Sequence, residues 1–309
     1  MIWSLFGFWY MGLAFILYVV QVVGRWVWSS FVKPIDLKAY KRGQGWAVIT
    51  GATDGIGLGF AHVIARHGFN ILLVSRSKEK LEDVKNTIQK AYKVQVDYVV
   101  SNANDVSATN IDGVVQKCKG RDLSILVNNV GIGQGGIKPL ELLSADTIQQ
   151  AITVNCTYPT LLTHALLPQM KGKSRGRRLI INISSLAAVL MNPFSSVYAA
   201  TKGFNRQFSL ALTAELCWEG VDVLCVNPGF VESNMTKMKA GPMCCTAIEC
   251  AESALRKIGE IEAIPHWKHM IMYMVSCIQH FVPKSFRPAI VYKIVSSVRQ
   301  MTGRFMKTE

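Results

Sequence analysis

Apolar residues fall along most of the chain in short runs, and charged amphipathic stretches separate these runs. The runs predicted as strands are Trp46–Thr50, Asn70–Ser75, Val94–Val100, Ser124–Asn128, Leu179–Ile183 and Asp222–Val226. The stretches predicted as helices include Leu58–His67, Lys78–Tyr92, Asp146–Pro168 and Tyr198–Trp218. Apolar strands that alternate with helices predict a parallel sheet covered on both faces. With right-handed crossovers this becomes a Rossmann-like, doubly wound α/β fold whose binding crevice lies at the carboxyl ends of the strands.

The first 24 residues form a different kind of segment, because Met1–Gly24 contains no charged side chain. A helix of this length covers about 36 Å, which exceeds a hydrocarbon core of ~30 Å. Tryptophans such as Trp3 and Trp28 lie near both ends, and basic residues such as Arg25 follow. This arrangement is typical of a transmembrane helix whose following chain is cytoplasmic. A cleaved signal peptide is disfavoured, since a basic n-region and a small-x-small cleavage site are missing. We predict that residues 1–45 are a membrane anchor and juxtamembrane linker.

Composition narrows the function classes further. The 309 residues include 34 Lys and Arg against 20 Asp and Glu, which gives a formal net charge of +14. Such an excess favours nucleic acid, an anionic membrane or an anionic substrate as partner. The sequence carries no nucleic-acid recognition motif, so we expect membrane lipids and no nucleic acid. The eight cysteines form no CxxC pair and no Cys/His cluster at zinc spacing, which predicts free thiols and no metal site.

A glycine-rich turn joins the first predicted strand to the first predicted helix. Its sequence is TGATDGIG, residues 50–57. Gly51, Gly55 and Gly57 let the backbone turn tightly and approach a pyrophosphate at the helix N-terminus. An NAD enzyme is expected to carry an acidic residue about 20 residues further on, which holds the ribose 2′-hydroxyl. The second strand is followed instead by Arg76, whose guanidinium suits a 2′-phosphate. The pattern therefore predicts a dinucleotide site for NADPH or NADP.

Tyr198 and Lys202 are four residues apart at the start of a predicted helix, so they share one face. Reduction of a ketone by hydride needs a proton donor, and a phenol with a pKa of ~10 is a slow one near pH 7. A lysine ammonium about 4.5 Å away contributes about 4 kcal/mol toward a lower phenol pKa. Ser185 lies upstream, at the end of the fifth predicted strand. These residues predict a site for carbonyl reduction.

Taken in the order in which they occur along residues 46–260, the motifs resemble those of the short-chain dehydrogenases/reductases. The shared motifs are TGATDGIG at 50–57, Asn128-Asn129-Val130-Gly131, Asn155, Ser185, Tyr198 with Lys202, and Pro228-Gly229. The resemblance implies that Tyr198 is the acid and that Lys202 lowers its pKa and holds the nicotinamide ribose. It also implies that Ser185 binds the substrate carbonyl and that Asn155 supports a proton relay. Implied cofactor contacts are Gly51, Thr53, Asp54, Gly55, Ile56, Gly57, Arg76, Asn102, Asn129 (at the adenosine ribose), Tyr198, Lys202, Pro228 and Val231.

Within that family, the stretches GQGWAVITGATDGIG, SRSKEKLEDV and ILVNNVG resemble the membrane-bound 17β-hydroxysteroid dehydrogenases of types 3 and 12. Type 12 enzymes are very-long-chain 3-oxoacyl-CoA reductases of the endoplasmic reticulum, and type 3 enzymes reduce androstenedione. The resemblance implies an NADPH-dependent ketoreductase at the endoplasmic reticulum membrane, with the acyl-CoA as the first expected substrate. A steroid 17-ketone is the alternative, and a catalytically silent membrane scaffold is another. Fatty-acid elongation enzymes and a second copy of the chain are the candidate protein partners.

Three positions depart from that branch. Asn102 stands where the third strand usually ends in Asp, Ser233 replaces the usual threonine after the Pro-Gly turn, and Lys307 is the single lysine near the C-terminus, where a dilysine signal is common. Residues 261–309 carry Ile290 and Ile294 at helical spacing among basic residues. This pattern predicts an amphipathic helical extension that faces substrate and an anionic membrane. A helix packed on the catalytic domain is the alternative.

Overall fold

A seven-stranded parallel sheet lies at the centre of the fold. The structure is a computed structural model that describes residues 13, 16, 17, 20, 21, 23–41, 43–171, 176–277 and 282–305. The sheet contains β1 (Trp46–Thr50), β2 (Asn70–Ser75), β3 (Val96–Val100), β4 (Leu123–Asn128), β5 (Arg178–Ile183), β6 (Val221–Val226) and β9 (Glu262–Ala263). Its strand order is β3-β2-β1-β4-β5-β6-β9, and every neighbouring pair is parallel. The predicted Rossmann-like sheet is confirmed. A separate parallel pair consists of β7 (Phe230–Val231) and β8 (Cys244–Cys245).

Helices cover both faces of the sheet. They are α1 (Gly55–Arg66), α2 (Lys78–Ala91), α3 (Ala108–Cys118), α4 (Ala145–Ile152), α5 (Tyr158–Met170), α6 (Ser196–Leu216), α7 (Ala247–Arg256), α8 (Trp267–Cys277) and α9 (Arg287–Phe305). Every residue of β1 is buried, and its side chains alternate between two cores. Ala47 and Ile49 pack in one core with Phe60 of α1, whereas Val48 packs in the other with Leu162 of α5. This two-sided burial explains the continuous apolar runs of the strands.

One predicted helix is divided in the structure. The sequence predicts a single helix over Asp146–Pro168, but a π-helical turn at Thr153–Thr157 separates α4 from α5. A π-helical turn holds one extra residue, and such turns are frequent at functional sites. The turn places Asn155 in the interior, where the side chain is fully buried. The seventh strand of the sheet, β9, was also not predicted and lies just beyond residue 260.

The predicted membrane anchor at residues 1–24 falls largely outside the described residues. Within the part of the chain that the structure describes, no helix is both long and apolar enough to cross a membrane. A π-helical turn at residues 28–32 packs against the end of α7. There the Lys257 ammonium donates to the hydroxyls of Ser29 and Ser30, and Lys33 Nζ donates to the Ile258 carbonyl oxygen at 2.6 Å. The segment that follows the predicted anchor is therefore fixed to the catalytic domain.

The C-terminal helix α9 combines features of both predicted arrangements. Val291 is buried, and the Tyr292 ring lies 5.2 Å from the Phe194 ring, measured between centroids. These contacts hold α9 on the catalytic domain. Ile290 and Ile294 are 41% and 60% exposed, so the apolar stripe predicted from the sequence is left open.

Helices α1 and α7 approach each other closely at Gly59. A Cβ atom there would lie 2.2 Å from the carbonyl oxygen of Ala247. Alanine would push the two backbones apart, so Gly59→Ala should lower the free energy of unfolding by about 1–3 kcal/mol. Gly113 in α3 is the matched control, because a Cβ atom there meets nothing within 4 Å. Gly113→Ala should raise the free energy of unfolding by about 0.5–1 kcal/mol. Urea unfolding of the full chain in detergent measures both, and equal effects would contradict the close approach.

Candidate active site

A cleft of about 440 Å³ opens at the carboxyl ends of the strands, where β1 lies beside β4. From these two strands the sheet continues in opposite directions, and such a switch point is where doubly wound folds bind ligands. Most of the predicted site residues line this cleft. They are Gly51, Thr53, Asp54, Gly55, Ile56, Arg76, Asn102, Asn129, Ser185, Tyr198, Lys202, Pro228 and Val231. Gly57 and Asn155 do not line the cleft, but each contacts residues that do.

The glycine turn after β1 packs against the residue that follows β4. Gly51 has a φ of +62°, a conformation that favours glycine. A Cβ atom at Gly57 would lie 2.4 Å from Nδ2 of Asn129, so a side chain there would displace the amide. Asn129 Nδ2 donates to the carbonyl oxygens of Thr50, at 2.9 Å, and of Gly51, at 3.2 Å. Asn129 therefore holds the turn in place, and its predicted contact with the adenosine ribose stays a prediction.

The first turn of α1 opens toward the cleft without a capping side chain. Asp54 is the N-cap residue, but its carboxylate makes no capping hydrogen bond. The carboxylate instead accepts a hydrogen bond from the backbone N–H of Asn234, at 2.9 Å. The first amides of a helix need partners from outside the helix, and an anion can supply them. With Gly55 and Ile56 on the cleft wall, this helix end is suited to hold a phosphate.

The cleft is positively charged where β2 ends. The hydroxyls of Thr53 and Ser75 are hydrogen-bonded at 2.9 Å, and the next residue, Arg76, is exposed beside them. Arg76 forms no ion pair with any described residue. Among the described residues that line the cleft, Asp54 is the only acid. At the end of β3, Asn102 Oδ1 accepts from its own loop, so this side chain also shapes the backbone.

Ser185, Tyr198 and Lys202 meet at the floor of the cleft. Ser185 follows β5, and the other two residues lie one turn apart on α6. The Ser185 hydroxyl lies close enough to the Tyr198 phenol to lower the pKa of that phenol. Lys202 Nζ lies 5.8 Å from the centroid of the Tyr198 ring and donates to the Ile183 carbonyl oxygen at 2.9 Å. The three groups therefore share the floor of the cleft.

Burial sets the protonation of both groups on α6. It raises the pKa of Tyr198, and the nearby Ser185 hydroxyl offsets only part of this effect. The sequence prediction of a lowered phenol pKa is therefore not what the structure shows, because the prediction counted the ammonium but not the desolvation of the phenol. Burial also lowers the pKa of Lys202, to about 8. At neutral pH the phenol holds its proton and the lysine is mostly an ammonium.

Asn155 supports the floor of the cleft from the π-helical turn. Its Oδ1 accepts from the backbone N–H of Ile132 at 2.8 Å, and its Nδ2 donates to the Ile132 carbonyl oxygen at 2.9 Å and to the Thr201 hydroxyl at 3.0 Å. A Cβ atom at Gly131 would lie 3.3 Å from both Asn155 Oδ1 and Lys202 Nζ. The two side chains thus converge on one point. The proton relay implied for Asn155 stays a prediction.

Gln134 is a site residue that the sequence reasoning missed. Its side chain is buried, and its Oε1 accepts from the backbone N–H of Tyr198 at 3.0 Å. Its Nε2 donates to the Phe194 carbonyl oxygen at 2.8 Å. These bonds fix the start of α6 and therefore the direction of the Tyr198 side chain. A glutamine among glycines gives no signal in the sequence beyond a loop.

The end of the cleft that lies beyond the Pro228-Gly229 turn is built by elements that follow β6. A Cβ atom at Gly229 would lie 2.8 Å from the ring of His269, so α8 packs directly on this turn. Met235 and Thr236 line the cleft beyond it. Thr236 Oγ1 donates to the Val231 carbonyl oxygen at 2.7 Å, which holds the loop against β7. The sequence analysis did not single out Thr236, because no motif requires a hydroxyl at that position.

Comparison with known proteins identifies relatives over most of the chain. The model of the family described as short chain dehydrogenase matches residues 45–242. Very-long-chain 3-oxoacyl-CoA reductase of Kluyveromyces lactis is 29% identical over 287 residues, which cover 88% of this chain and 82% of that protein. Hydroxysteroid dehydrogenase-like protein 1 of Gallus gallus is 34% identical over 244 residues, which cover 77% of this chain and 73% of that protein.

The fold has solved counterparts as well. The crystal structure of 3-ketoacyl-(acyl-carrier-protein) reductase from Brucella melitensis complexed with NADH has a TM-score of 0.64 at 26% identity, covering 72% of this chain and 96% of that one. The matched residues 45–242 contain the glycine turn, Ser185, Tyr198 and Lys202. The chain therefore belongs to the short-chain dehydrogenases, NAD(P)-dependent oxidoreductases that act on CH–OH and C=O groups.

Proposed function

We propose that this protein is an NADPH-dependent very-long-chain 3-oxoacyl-CoA reductase of fatty-acid elongation at the endoplasmic reticulum membrane. The observation that carries the reaction is that Ser185, Tyr198 and the buried Lys202 meet at the floor of one cleft. The choice of substrate is supported by the name of the Kluyveromyces lactis relative. The alignment with that relative covers most of both chains. A steroid 17-ketone is the second candidate, and the name of the Gallus gallus relative supports it.

The preference for NADPH is argued from the residues around the adenosine end of the cleft. The solved relative holds NADH, so its ligand does not decide between the two dinucleotides. Gly57 leaves no room for a side chain at the turn, and the uncapped end of α1 suits the pyrophosphate. Arg76 stands without an ion pair among the described residues, next to Ser75 on the cleft wall, and would hold a 2′-phosphate. A planar guanidinium binds phosphate through two parallel hydrogen bonds.

The residues of the floor supply the proton in the proposed reduction. NADPH, when bound, supplies the hydride to the carbonyl carbon. Tyr198 donates its hydroxyl proton to the carbonyl oxygen, and the Ser185 hydroxyl holds that oxygen and the phenol in line. The Lys202 ammonium, whose Nζ lies 5.8 Å from the centroid of the Tyr198 ring, stabilises the negative charge that develops on the phenol. Gln134 and Asn155 keep α6 and the floor in place.

The basic character of the chain suits an anionic substrate. A CoA thioester carries phosphate groups, and a net charge of +14 attracts it from solution. The acyl chain needs an apolar path instead. Met235 lines the cleft and is 54% exposed, and Met238 and Met243 lie exposed in the same loop. Unbranched methionine side chains adapt to irregular apolar shapes, which a long acyl chain requires.

The proposed location at the endoplasmic reticulum membrane, with the catalytic domain in the cytosol, is supported by exposed apolar side chains at both ends of the chain. Val20, Trp28 and Phe31 are each more than half exposed, and Met274 and Val275 of α8 are each more than 60% exposed. Large apolar side chains grouped on a surface mark a contact with lipid or protein. Basic residues next to them favour the anionic cytoplasmic leaflet. Substrate dissolved in the membrane would then meet the Met-lined end of the cleft.

The proposed function is tested by NADPH oxidation with the full chain in detergent. A very-long-chain 3-oxoacyl-CoA and androstenedione are offered in parallel to the wild type and to Tyr198→Phe. We expect preference for the CoA thioester. We also expect a 10²- to 10⁴-fold loss of turnover in the variant, roughly the contribution of a general acid. NADPH binding should remain nearly unchanged, because the phenyl ring keeps its place. Tyr92→Phe, which alters a hydroxyl outside the cleft, is the matched control.

Other results would redirect the proposal. Preference for androstenedione would establish the steroid alternative. Turnover of neither substrate, with NADPH still bound, would favour a membrane scaffold of the same fold. Full turnover by Tyr198→Phe would remove the phenol from the reaction.

Arg76→Glu should weaken the binding of NADPH far more than the binding of NADH. Loss of two charge-assisted hydrogen bonds, with a carboxylate in their place, is expected to lower kcat/KM for NADPH about 100-fold. The value for NADH should change only a few-fold, since it has no 2′-phosphate. Lys90→Glu makes the same charge change at the far end of α2 and is the control. Equal losses with both cofactors would contradict the 2′-phosphate contact.

The pH dependence of reduction should report Lys202. Because burial lowers its pKa to about 8, the ammonium is present below that pH and is lost as the pH rises. We expect kcat/KM to be level below pH 8 and to fall about tenfold per pH unit well above it. Lys202→Arg keeps a positive charge at all these pH values, so its lower activity should show no such fall. The same fall in both proteins would assign it to another group.

A further inference from the structure

Three side chains with soft metal-ligand atoms meet in the interior, outside the active site. Cys245 of β8, Cys250 of α7 and His269 of α8 have no exposed surface. Their sulfur and nitrogen atoms all lie within 4.8 Å of one another. The sequence separations of 5 and 19 residues match no zinc motif, so the sequence analysis predicted no cluster. The fold creates it, because β8 and two helices converge there.

The distances in this cluster fit a tetrahedral metal site. Zinc lies about 2.3 Å from a thiolate and about 2.0–2.1 Å from an imidazole nitrogen, so two such ligands at the tetrahedral angle are about 3.5 Å apart. Cys245 Sγ and His269 Nε2 are 3.5 Å apart. The Phe230 carbonyl oxygen accepts a hydrogen bond from the same ring nitrogen at 2.9 Å, so metal binding at Nε2 requires the ring proton to move to Nδ1.

The charge and polarity of the cluster also suit a divalent cation. Two thiols that bind Zn²⁺ release their protons to solvent, and two thiolates with one Zn²⁺ are electrically neutral. Neutrality matters because an uncompensated charge in the interior is costly.

We propose that Cys245, Cys250 and His269 bind one Zn²⁺ ion. The ion would join β8, α7 and α8. Because the His269 ring packs on Gly229, the ion fixes the wall of the cleft next to the Pro228-Gly229 turn. Its role is structural, since none of the three ligands lines the cleft. The proposal does not depend on which ketone the enzyme reduces.

Metal binding tests the proposal directly. The full chain in detergent is stripped with a chelator and titrated with Zn²⁺ or Co²⁺ alone, and bound metal is counted by elemental analysis. We expect one equivalent, and with Co²⁺ the visible absorption of a tetrahedral site with thiolate ligands. Cys245→Ser, Cys250→Ser and His269→Gln should each weaken binding by more than the roughly 10- to 100-fold that loss of an outer-sphere partner costs.

Cys244→Ser is the matched control for these variants. Cys244 is as buried as its neighbour, but its sulfur donates to the Cys245 carbonyl oxygen and is not part of the cluster that the described residues form. This variant should bind metal as the wild type does. Zinc should also raise the melting temperature of the wild type and of Cys244→Ser, and not that of the three ligand variants. NADPH binding by each variant shows that it has folded.

Three results would overturn the proposal. The first is no uptake of Zn²⁺ or Co²⁺ by the stripped wild type. The second is equal uptake by the wild type and all three ligand variants. The third is a disulfide between Cys245 and Cys250 in the protein isolated under reducing conditions, detected by intact mass after thiol labelling. None of these readouts uses ketone reduction, so they remain separate from any failure of the proposed function.

Discussion

The carboxyl ends of β1 and β4 are held together by Thr50 and Asn129. The Thr50 hydroxyl accepts from the backbone N–H groups of Asn129 and Val130, each at 3.0 Å, and donates to the Val127 carbonyl oxygen at 3.2 Å. The Asn129 side chain returns two hydrogen bonds to the backbone at Thr50 and Gly51. This reciprocal bonding fixes where the sheet ends and the cleft begins. The glycine turn, the start of α1 and the floor at Gly131 all take their positions from it.

The second constraint is the burial of Lys202 at the other end of that floor. An ammonium taken out of water loses hydration, and the Ile183 carbonyl oxygen replaces part of it. The backbone at the same residue is also held, since the Ser184 hydroxyl donates to the Lys202 carbonyl oxygen at 2.7 Å. The remaining penalty appears as the lowered pKa. In the proposed reduction, a charge held so rigidly needs little reorganisation when the phenol gives up its proton, which is the condition for electrostatic catalysis.

Much of this architecture could be predicted from the sequence, and the exceptions have physical causes. The six longer strands and the glycine turn carry strong local signals, because buried strands need apolar residues and the turn needs glycine at Gly51. The π-helical turn around Asn155 has no such signal, since its sequence is compatible with a regular helix. Gln134 acts through a contact 64 residues away in the sequence. The pKa of Tyr198 depends on desolvation, which only the packed structure reveals.

The two ends of the cleft are built differently. This difference explains how substrate specificity can change while the reaction stays the same. The end at the glycine turn after β1 is shaped largely by backbone groups that central strands hold in place, which leaves little freedom for change. The opposite end consists of short elements after β6, joined by side chains that are remote in sequence. Asp54 connects the two ends. Its carboxylate makes no capping hydrogen bond to α1 and instead accepts from the backbone N–H of Asn234. Substitutions in this outer wall can therefore alter the shape that meets the substrate while the Ser185, Tyr198 and Lys202 geometry stays fixed.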